Sequence, residues 1–304
     1  MNKIIIFGAS DLGKSAYYAL RGTYKIAYFT DNNKKLWGTQ FDGIEIINPN
    51  KLKEIDDSEI VIASMYYDEI TSQIFQYGFD YVYIYNPLLE NNFMKEIKKY
   101  NINFERHGND YCNYAICTDY ISNNSIVYSF GVGEDVSFDI SLINKYGLKV
   151  YAFDPTPKSI RWIQKQNLPN EFTFYNLGVS DVDGSEEFYL PEKDEYVSCS
   201  SIIKFNSKTV KVNVNRFDTI ASKLNHDYID ILKMDIEGSE YKVIEDILKS
   251  KVIVKQILVE FHHRFENIGY GKTYDIIKKM SEKGYKLFYM SQSGEEFSFI
   301  LSND

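Results

Sequence analysis

The sequence predicts an α/β chain of two domains in tandem, each built on a mostly parallel sheet. Three observations carry this. Short apolar runs alternate with helix-length segments, the pattern of strands covered on both faces and joined by helical crossovers. The series strand, glycine turn, helix, strand, acid occurs twice, beginning at Lys3 and again at Ile126. The last two strand-like runs are separated only by Ser291-Gln292-Ser293-Gly294-Glu295, so they must pair antiparallel.

In the first domain a buried strand, Lys3 to Phe7, meets a turn at Gly8. A helix from about Leu12 to Leu20 and a strand from Lys25 to Thr30 follow, the latter ending at Asp31. Glu59 to Ser64 is apolar enough for a parallel strand buried on both faces. A helix over Tyr67 to Gln76 ends before Gly78, and a short strand, Tyr81 to Tyr85, stops before Asn86-Pro87. Residues from Glu90 to Ser125 carry charge, asparagine and one helical segment, Phe93 to Tyr100. The boundaries are placed at 1–90 for the first domain, 91–109 for a linker and 110–304 for the second domain.

The second domain reads as seven principal strands: Ile126–Phe130, Lys149–Phe153, Glu171–Leu177, Ile229–Met234, Gln256–Phe261, Tyr285–Met290 and Glu296–Leu301. Two shorter strand-like runs, Glu186–Leu190 and Val210–Val214, fall between the third and fourth.

Bulk properties narrow the function. At 304 residues and 44% hydrophobic content the chain can fill two cores and is not disordered. A net charge of -9, with no run of Lys or Arg, argues against nucleic acid as a partner. No apolar stretch approaches the ~20 residues of a membrane span, and the N-terminus enters a strand rather than a signal-peptide core. Cys112, Cys117 and Cys199 have no metal-ligand spacing and an odd count, which suits reduced thiols and a cytoplasmic location.

The strongest constellation is Ser129-Phe130-Gly131-Val132-Gly133-Glu134-Asp135, followed about twenty residues on by Phe153-Asp154-Pro155. Glycines after a first strand let backbone approach a ligand, and an acid ending the second strand is placed to accept hydrogen bonds from ribose hydroxyls. A tight turn with no ligand would leave the same glycines, so the pair of features matters more than either. Asn176-Leu177-Gly178-Val179-Ser180-Asp181 closes the third strand. Lys233-Met234-Asp235-Ile236-Glu237-Gly238-Ser239-Glu240 and Val259-Glu260-Phe261-His262 close the fourth and fifth.

Over residues 110–304 this order of segments resembles the FkbM family of methyltransferases, with its KxDxEGxE motif at Lys233–Glu240 and a vEfH-like strand end at Val259–His262. The resemblance implies a Rossmann-like class I methyltransferase sheet ending in the antiparallel hairpin. It also implies S-adenosylmethionine as cofactor, bound by Gly131, Gly133, Glu134, Asp135, Asp154, Ser180 and Asp181. The turn departs from the commoner DxGAnxG pattern, since Ser129 stands where an acid is usual. Glu134 or Asp135 is then the substitute partner for the methionine amine.

Asp235 and His262, both at strand ends on the ligand edge, are the catalytic candidates. His262 has the chemistry to deprotonate a hydroxyl as the methyl is transferred. A hydrogen-bonded structural histidine would look the same in sequence, and Glu237 and Glu240 have an equally ordinary reading as acids capping the next helix. Asp235, Glu237, Glu260 and His262 have the residue types to converge on a divalent ion, but nothing in their spacing requires it, and no metal is assigned.

In the first domain Gly8-Ala9-Ser10-Asp11-Leu12-Gly13, with Asp31 after the next strand, is a variant dinucleotide turn. Ser10 occupies the position that wants no side chain. This domain resembles small Rossmann-like domains found beside sugar-modifying enzymes, which implies nucleotide-sugar binding through Gly8, Ser10, Gly13 and Asp31. A docking module with a degenerate site fits the residues equally well.

The expected activity is methyl transfer from S-adenosylmethionine to a hydroxyl of a sugar, nucleotide-sugar or surface-glycan precursor in polysaccharide biosynthesis. Two alternatives stand beside it: an NAD-dependent nucleotide-sugar oxidoreductase or epimerase, and a non-catalytic nucleotide-sugar-binding assembly protein. The sequence leaves oligomeric state open, a homo-oligomer included.

Overall fold

The computed structural model describes residues 3–55, 58–87, 100–109, 112–189, 208–265, 268–291 and 293–302. The helix expected over Phe93–Tyr100, and Cys199, lie largely or wholly outside them. The chain divides into two compact units, Met1–Glu96 and Ile97–Asp304.

In the first unit, strands β1 (Lys3–Phe7), β2 (Lys25–Thr30), β3 (Gln40–Phe41), β4 (Ile44–Ile47), β5 (Ser58–Ile62) and β6 (Tyr83–Ile84) form one sheet in the order β3-β4-β2-β1-β5-β6. Every neighbouring pair is parallel except β3–β4. Among the described residues its α-helices are α1 (Asp11–Leu20) and α2 (Tyr67–Gln76). β1 is central, and its alternate residues feed two cores, as the period of two demands. Ile4 and Ile6 join Ala16, Tyr17 and Phe29. Ile5 and Phe7 join Ile60, Ile62, Ile70 and Ile74. That is why the run reads as uniformly apolar. The β3–β4 hairpin is absent from the sequence reading. Asp42 (φ 50) and Gly43 (φ 80) make its two-residue turn, and an Asp-Gly pair is a strong hairpin signal.

The second unit opens with an antiparallel pair, β7 (Phe104–Gly108) and β8 (Asn113–Cys117). β7 falls within the stretch read as a linker. Its residues are mostly polar, while β8 buries Tyr114, Ala115, Ile116 and Cys117. The Gln256 amide holds β8 in place, accepting from the Cys117 N–H at 2.7 Å and donating to its carbonyl at 3.0 Å.

The main sheet then forms from β9 (Ile126–Phe130), β10 (Lys149–Phe153) and β11 (Phe172–Tyr175). A small sheet is inserted next: β12 (Gly178–Ser180), β13 (Gly184–Tyr189) and β14 (Thr209–Arg216). The main sheet resumes with β15 (Tyr228–Met234), β16 (Ile253–Glu260), β17 (Tyr285–Met290) and β18 (Glu296–Leu301), in the order β11-β10-β9-β15-β16-β18-β17. Only β18 runs against its neighbours, closing the edge in the expected hairpin. Helices α3 (Ser137–Tyr146), α4 (Pro157–Ile163), α5 (Phe217–Leu224), α6 (Glu240–Ile247) and α7 (Tyr270–Glu282) make the crossovers. This is a class I methyltransferase sheet. Its order reverses between β10 and β15, the two partners of β9, and that switch point opens the crevice where α/β sheets bind ligands. Among the described residues no helix is long and apolar enough to cross a membrane.

Candidate active site

β9 ends at Phe130, and the chain turns through Gly131 (φ 81) and Gly133 (φ 60). A Cβ on Gly131 would stand 1.6 Å from the carbonyl oxygen of Asp235. The glycine is therefore demanded by backbone contact between this turn and the end of β15, and it fixes both sides of the crevice against each other. The turn is also clasped from β10. Asp154, 4% exposed, accepts from the N–H of Val132 (3.0 Å) and Gly133 (2.9 Å) through Oδ2, and from the N–H (2.8 Å) and hydroxyl (2.7 Å) of Thr156 through Oδ1. These four bonds from the chain fill its accepting positions.

The crevice holds a cavity of about 210 Å³. Phe130, Phe153, Val179 and Phe188 supply apolar walls, the turn from Gly131 to Asp135 one polar side, and Asp235 to Glu237 the other. Mostly apolar walls with a few convergent polar groups are the make-up of a small-molecule site. Glu134 lies at the rim, 3.2 Å from the Lys158 ammonium. Asp135 accepts from the Ser137 N–H (2.6 Å) and the Asn109 amide (2.5 Å). Burial works to raise its carboxyl, but these bonds and the Lys233 charge hold it below the usual range. Gly178 and Val179 line the cavity, whereas Ser180 and Asp181 are not among its lining residues. Both gather round Lys242, whose ammonium lies 3.0 Å from Ser180 Oγ, 3.3 Å from Asp181 and 2.9 Å from Glu186.

Lys233 is a cavity residue to which the sequence reading gave no role. It is 3% exposed, and its ammonium donates to the Gly131 carbonyl at 2.6 Å and lies 3.9 Å from Asp235. Burial opposes its charge, yet Asp235, Cys112, Asp139 and Glu260 around it keep its affinity for the proton above the ordinary value. A buried cation so surrounded ties the glycine turn to β15 a second time. The signal was present: a lysine interrupts the apolar run Ile231-Leu232-Lys233-Met234, and a lysine is rarely buried without partners.

At the end of β15, Glu237 takes a left-handed conformation (φ 54) and Gly238 follows at φ 99. Glu240, fully enclosed at the start of α6, stabilises this turn. Its Oε1 accepts from the N–H of Ile236 (3.0 Å) and Gly238 (3.1 Å), and also from His262 Nδ1 (2.9 Å). His262 Nε2 faces Glu237 Oε2 at 3.4 Å and Asp235 Oδ1 at 3.8 Å, and its ring stacks on Phe265. Burial alone would lower the proton affinity of this imidazole. The carboxylates of Glu240, Glu237 and Glu260 outweigh burial and raise it well above the ordinary value. Asp235 and Glu237 line the cavity, and His262 stands behind them. His263 turns away beneath α7, 3.2 Å from Thr273 Oγ1, with burial depressing its pKa to about 3.

In the first unit, Asp31 clasps its turn in the same manner as Asp154. Its Oδ2 accepts from the Ala9 N–H and its Oδ1 from the Asn33 N–H, both at 2.8 Å. A Cβ on Gly13 would stand 1.9 Å from the Gly8 carbonyl oxygen, so the second glycine lets α1 sit against the turn. Ser10 is exposed and caps α1 without a side-chain bond.

Comparison with known proteins assigns a family to the second unit. Residues 119–287 match the methyltransferase FkbM domain family, and residues 1–80 match the C2185-like N-terminal family. Proteins described as probable methyltransferase-like protein 24, from Homo sapiens and Rattus norvegicus, are each 24% identical over 189 residues, which is 59% of this chain. The match takes in 46% of each relative, so the chain spans about half the length of the curated relatives it matches. A solved Methanococcus jannaschii fibrillarin pre-rRNA processing protein overlays with a TM-score of 0.38 at 10% identity, covering 60% of this chain and 69% of that one. On the match across more than half its length, the chain belongs to the FkbM methyltransferase family, and its cofactor is S-adenosylmethionine.

Proposed function

We propose that this methyltransferase modifies a hydroxyl of a sugar, nucleotide-sugar or surface-glycan precursor. The observation that carries the proposal is the pair of carboxylates, Asp235 and Glu237, lining the cavity across from the glycine turn. Partly exposed carboxylates are acceptor-only groups and suit an acceptor rich in hydroxyl donors. The residues present fit the cofactor: Phe130, Phe153 and Val179 offer apolar surface to a base, and the turn from Gly131 to Asp135 offers backbone polar groups. Gly131, Gly133, Glu134 and Asp135 hold it in this reading. Asp154 acts chiefly by clasping the turn, and Ser180 and Asp181 act from behind the wall. When bound, S-adenosylmethionine supplies an electrophilic methyl group.

Transfer to a hydroxyl needs alignment above all. Asp235 binds the acceptor hydroxyl at the cavity's edge. Glu240, bonded to both the 236–238 turn and His262, fixes the geometry of that edge, so His262 serves as a positioning residue. The first unit is proposed to bind a nucleotide-sugar through Gly8, Ser10, Gly13 and Asp31.

The test is calorimetry with S-adenosylhomocysteine and NAD, followed by mass spectrometry of a panel of nucleotide-sugars incubated with S-adenosylmethionine. Binding of S-adenosylhomocysteine, weaker binding of NAD and a methylated nucleotide-sugar are expected. Tighter binding of NAD would sink the reading. Methylation confined to acceptors without hydroxyl groups would sink its substrate half.

A further inference from the structure

The edge of the cavity holds a second chemical possibility that alignment by hydrogen bonds does not use. One oxygen each of Asp235 and Glu237 and one ring nitrogen of His262 lie within 4.8 Å of one another. They come from two elements, the turn after β15 and the end of β16, so the fold and not local sequence assembles them. His262 Nδ1 is committed to Glu240, which is itself pinned by two backbone N–H groups. That leaves Nε2 as the nitrogen aimed at the acids. Its side chain is nine-tenths buried, and the distances of 3.4 Å to Glu237 and 3.8 Å to Asp235 exceed the ~2.7–2.9 Å of a charge-assisted hydrogen bond. A carboxylate on one ring nitrogen, orienting the other toward further ligands, is the outer-shell arrangement that fixes metal-binding histidines.

We propose that Asp235, Glu237 and His262 hold a divalent cation at the edge of the cavity. Two carboxylates and one imidazole are a mixed, mainly hard donor set, which suits Mn²⁺ among the common divalent ions. Three protein ligands leave positions open, as in catalytic rather than structural sites. The open side faces the cavity, because Asp235 and Glu237 are the exposed members, at 30% and 21%, while His262 closes the rear. Those positions would take two neighbouring hydroxyls of the acceptor and fix which one faces the methyl group. This use of the ion rests on the acceptor reading given above; the binding of the ion does not.

The full chain, stripped of metal by a chelator, is titrated with Mn²⁺ alone, and bound ion is counted from loss of the free-ion paramagnetic resonance signal. S-Adenosylhomocysteine is titrated separately by calorimetry. One Mn²⁺ per chain is expected, with affinity reduced about tenfold or more in Asp235→Asn and Glu237→Gln. Glu240→Gln, which removes the outer-shell carboxylate, should weaken binding on the order of 10–100-fold. A chain that binds S-adenosylhomocysteine but no Mn²⁺ overturns the proposal and leaves the methyltransferase reading intact. Equal Mn²⁺ affinity in the wild type and in both carboxylate variants overturns it too. Mn²⁺ bound by a chain that ignores S-adenosylhomocysteine upholds the cation site and removes the cofactor assignment.

Discussion

Gly131→Ala tests whether the glycine turn and the end of β15 are locked together. The alanine methyl would sit 1.6 Å from the Asp235 carbonyl oxygen, where no real contact falls under 3.0 Å, so one of the two segments must move. The residue would also remain left-handed, at φ 81. Gly147→Ala is the matched control. It ends α3 at φ 67 with nothing within 4 Å of the added methyl, so it incurs only the conformational cost, about 1–2 kcal/mol. Gly131→Ala incurs that cost and a backbone overlap of roughly 1–3 kcal/mol besides. For a unit of this size each kcal/mol lowers the melting temperature by about 2–4 °C. Gly131→Ala should therefore melt about 2–12 °C below Gly147→Ala in calorimetric scans of the full chain. It should also lose about tenfold or more in affinity for S-adenosylhomocysteine, since the movement displaces Asp235 and the Val132–Gly133 backbone together, whereas Gly147→Ala should bind normally. If the two variants melt alike and bind alike, the contact is not a lock and the crevice is not held as described.

Three further outcomes follow from particular contacts. Asp154→Ala frees the N–H groups of Val132 and Gly133 and should cost about 1–3 kcal/mol of S-adenosylhomocysteine binding by calorimetry; unchanged affinity would remove Asp154 from the site. Burial pushes the Asp139 carboxyl up to about 6, with Lys233 and Ser129 opposing, against about 3.9 unfolded. The folded state thus keeps a proton that the unfolded chain releases, and stability is lost as pH rises from about 4 through about 6. Asp139→Asn should therefore gain on the wild type by up to about 3 kcal/mol between those values, and a melting difference that does not change with pH would refute this. A chain shortened to residues 97–304 should fold and bind S-adenosylhomocysteine, because Tyr100 N–H is already bonded to the Leu287 carbonyl at 2.8 Å within that unit; an insoluble or unfolded product would place the boundary elsewhere.

Most main-sheet strands were legible because they are apolar, largely buried and bounded by turn residues. Ile126–Phe130, Lys149–Phe153 and the hairpin from Tyr285 to Leu301 stand where their patterns put them. β7 and β8 were not, because Phe104–Gly108 is polar and its pairing partner is read only once the chain folds back. Two-residue strands such as β3 carry too few positions for a period to show. At the site, Asp235, read from a strand end, lines the cavity, whereas Ser180 and Asp181, read the same way, are not among its lining residues. The bonds that distribute their roles were not legible. Nothing in the sequence says that Glu240 reaches across to His262 from a separate element, or that Lys233 caps the carbonyl of Gly131.

The two glycine turns show why a turn and an acid are weak signals of a ligand. Asp31 follows β2 and Asp154 follows β10, each the strand after a glycine turn, and each spends its carboxylate on N–H groups of that turn. The signature therefore has a structural cause that operates with or without a nucleotide: a turn made of glycines has unpaired N–H groups, and an acid on the adjacent strand satisfies them. What separates the second turn is what faces it. Across about 210 Å³ stand Asp235 and Glu237, at the end of the strand on the far side of β9 from Asp154. The turn that follows them is clasped by another acid: Glu240, at the start of α6, takes the N–H groups of Ile236 and Gly238. Both carboxylates line the cavity, at 30% and 21% exposure, where something that enters from solution meets them, and this is why the functional assignment rests on β15 rather than on the glycines.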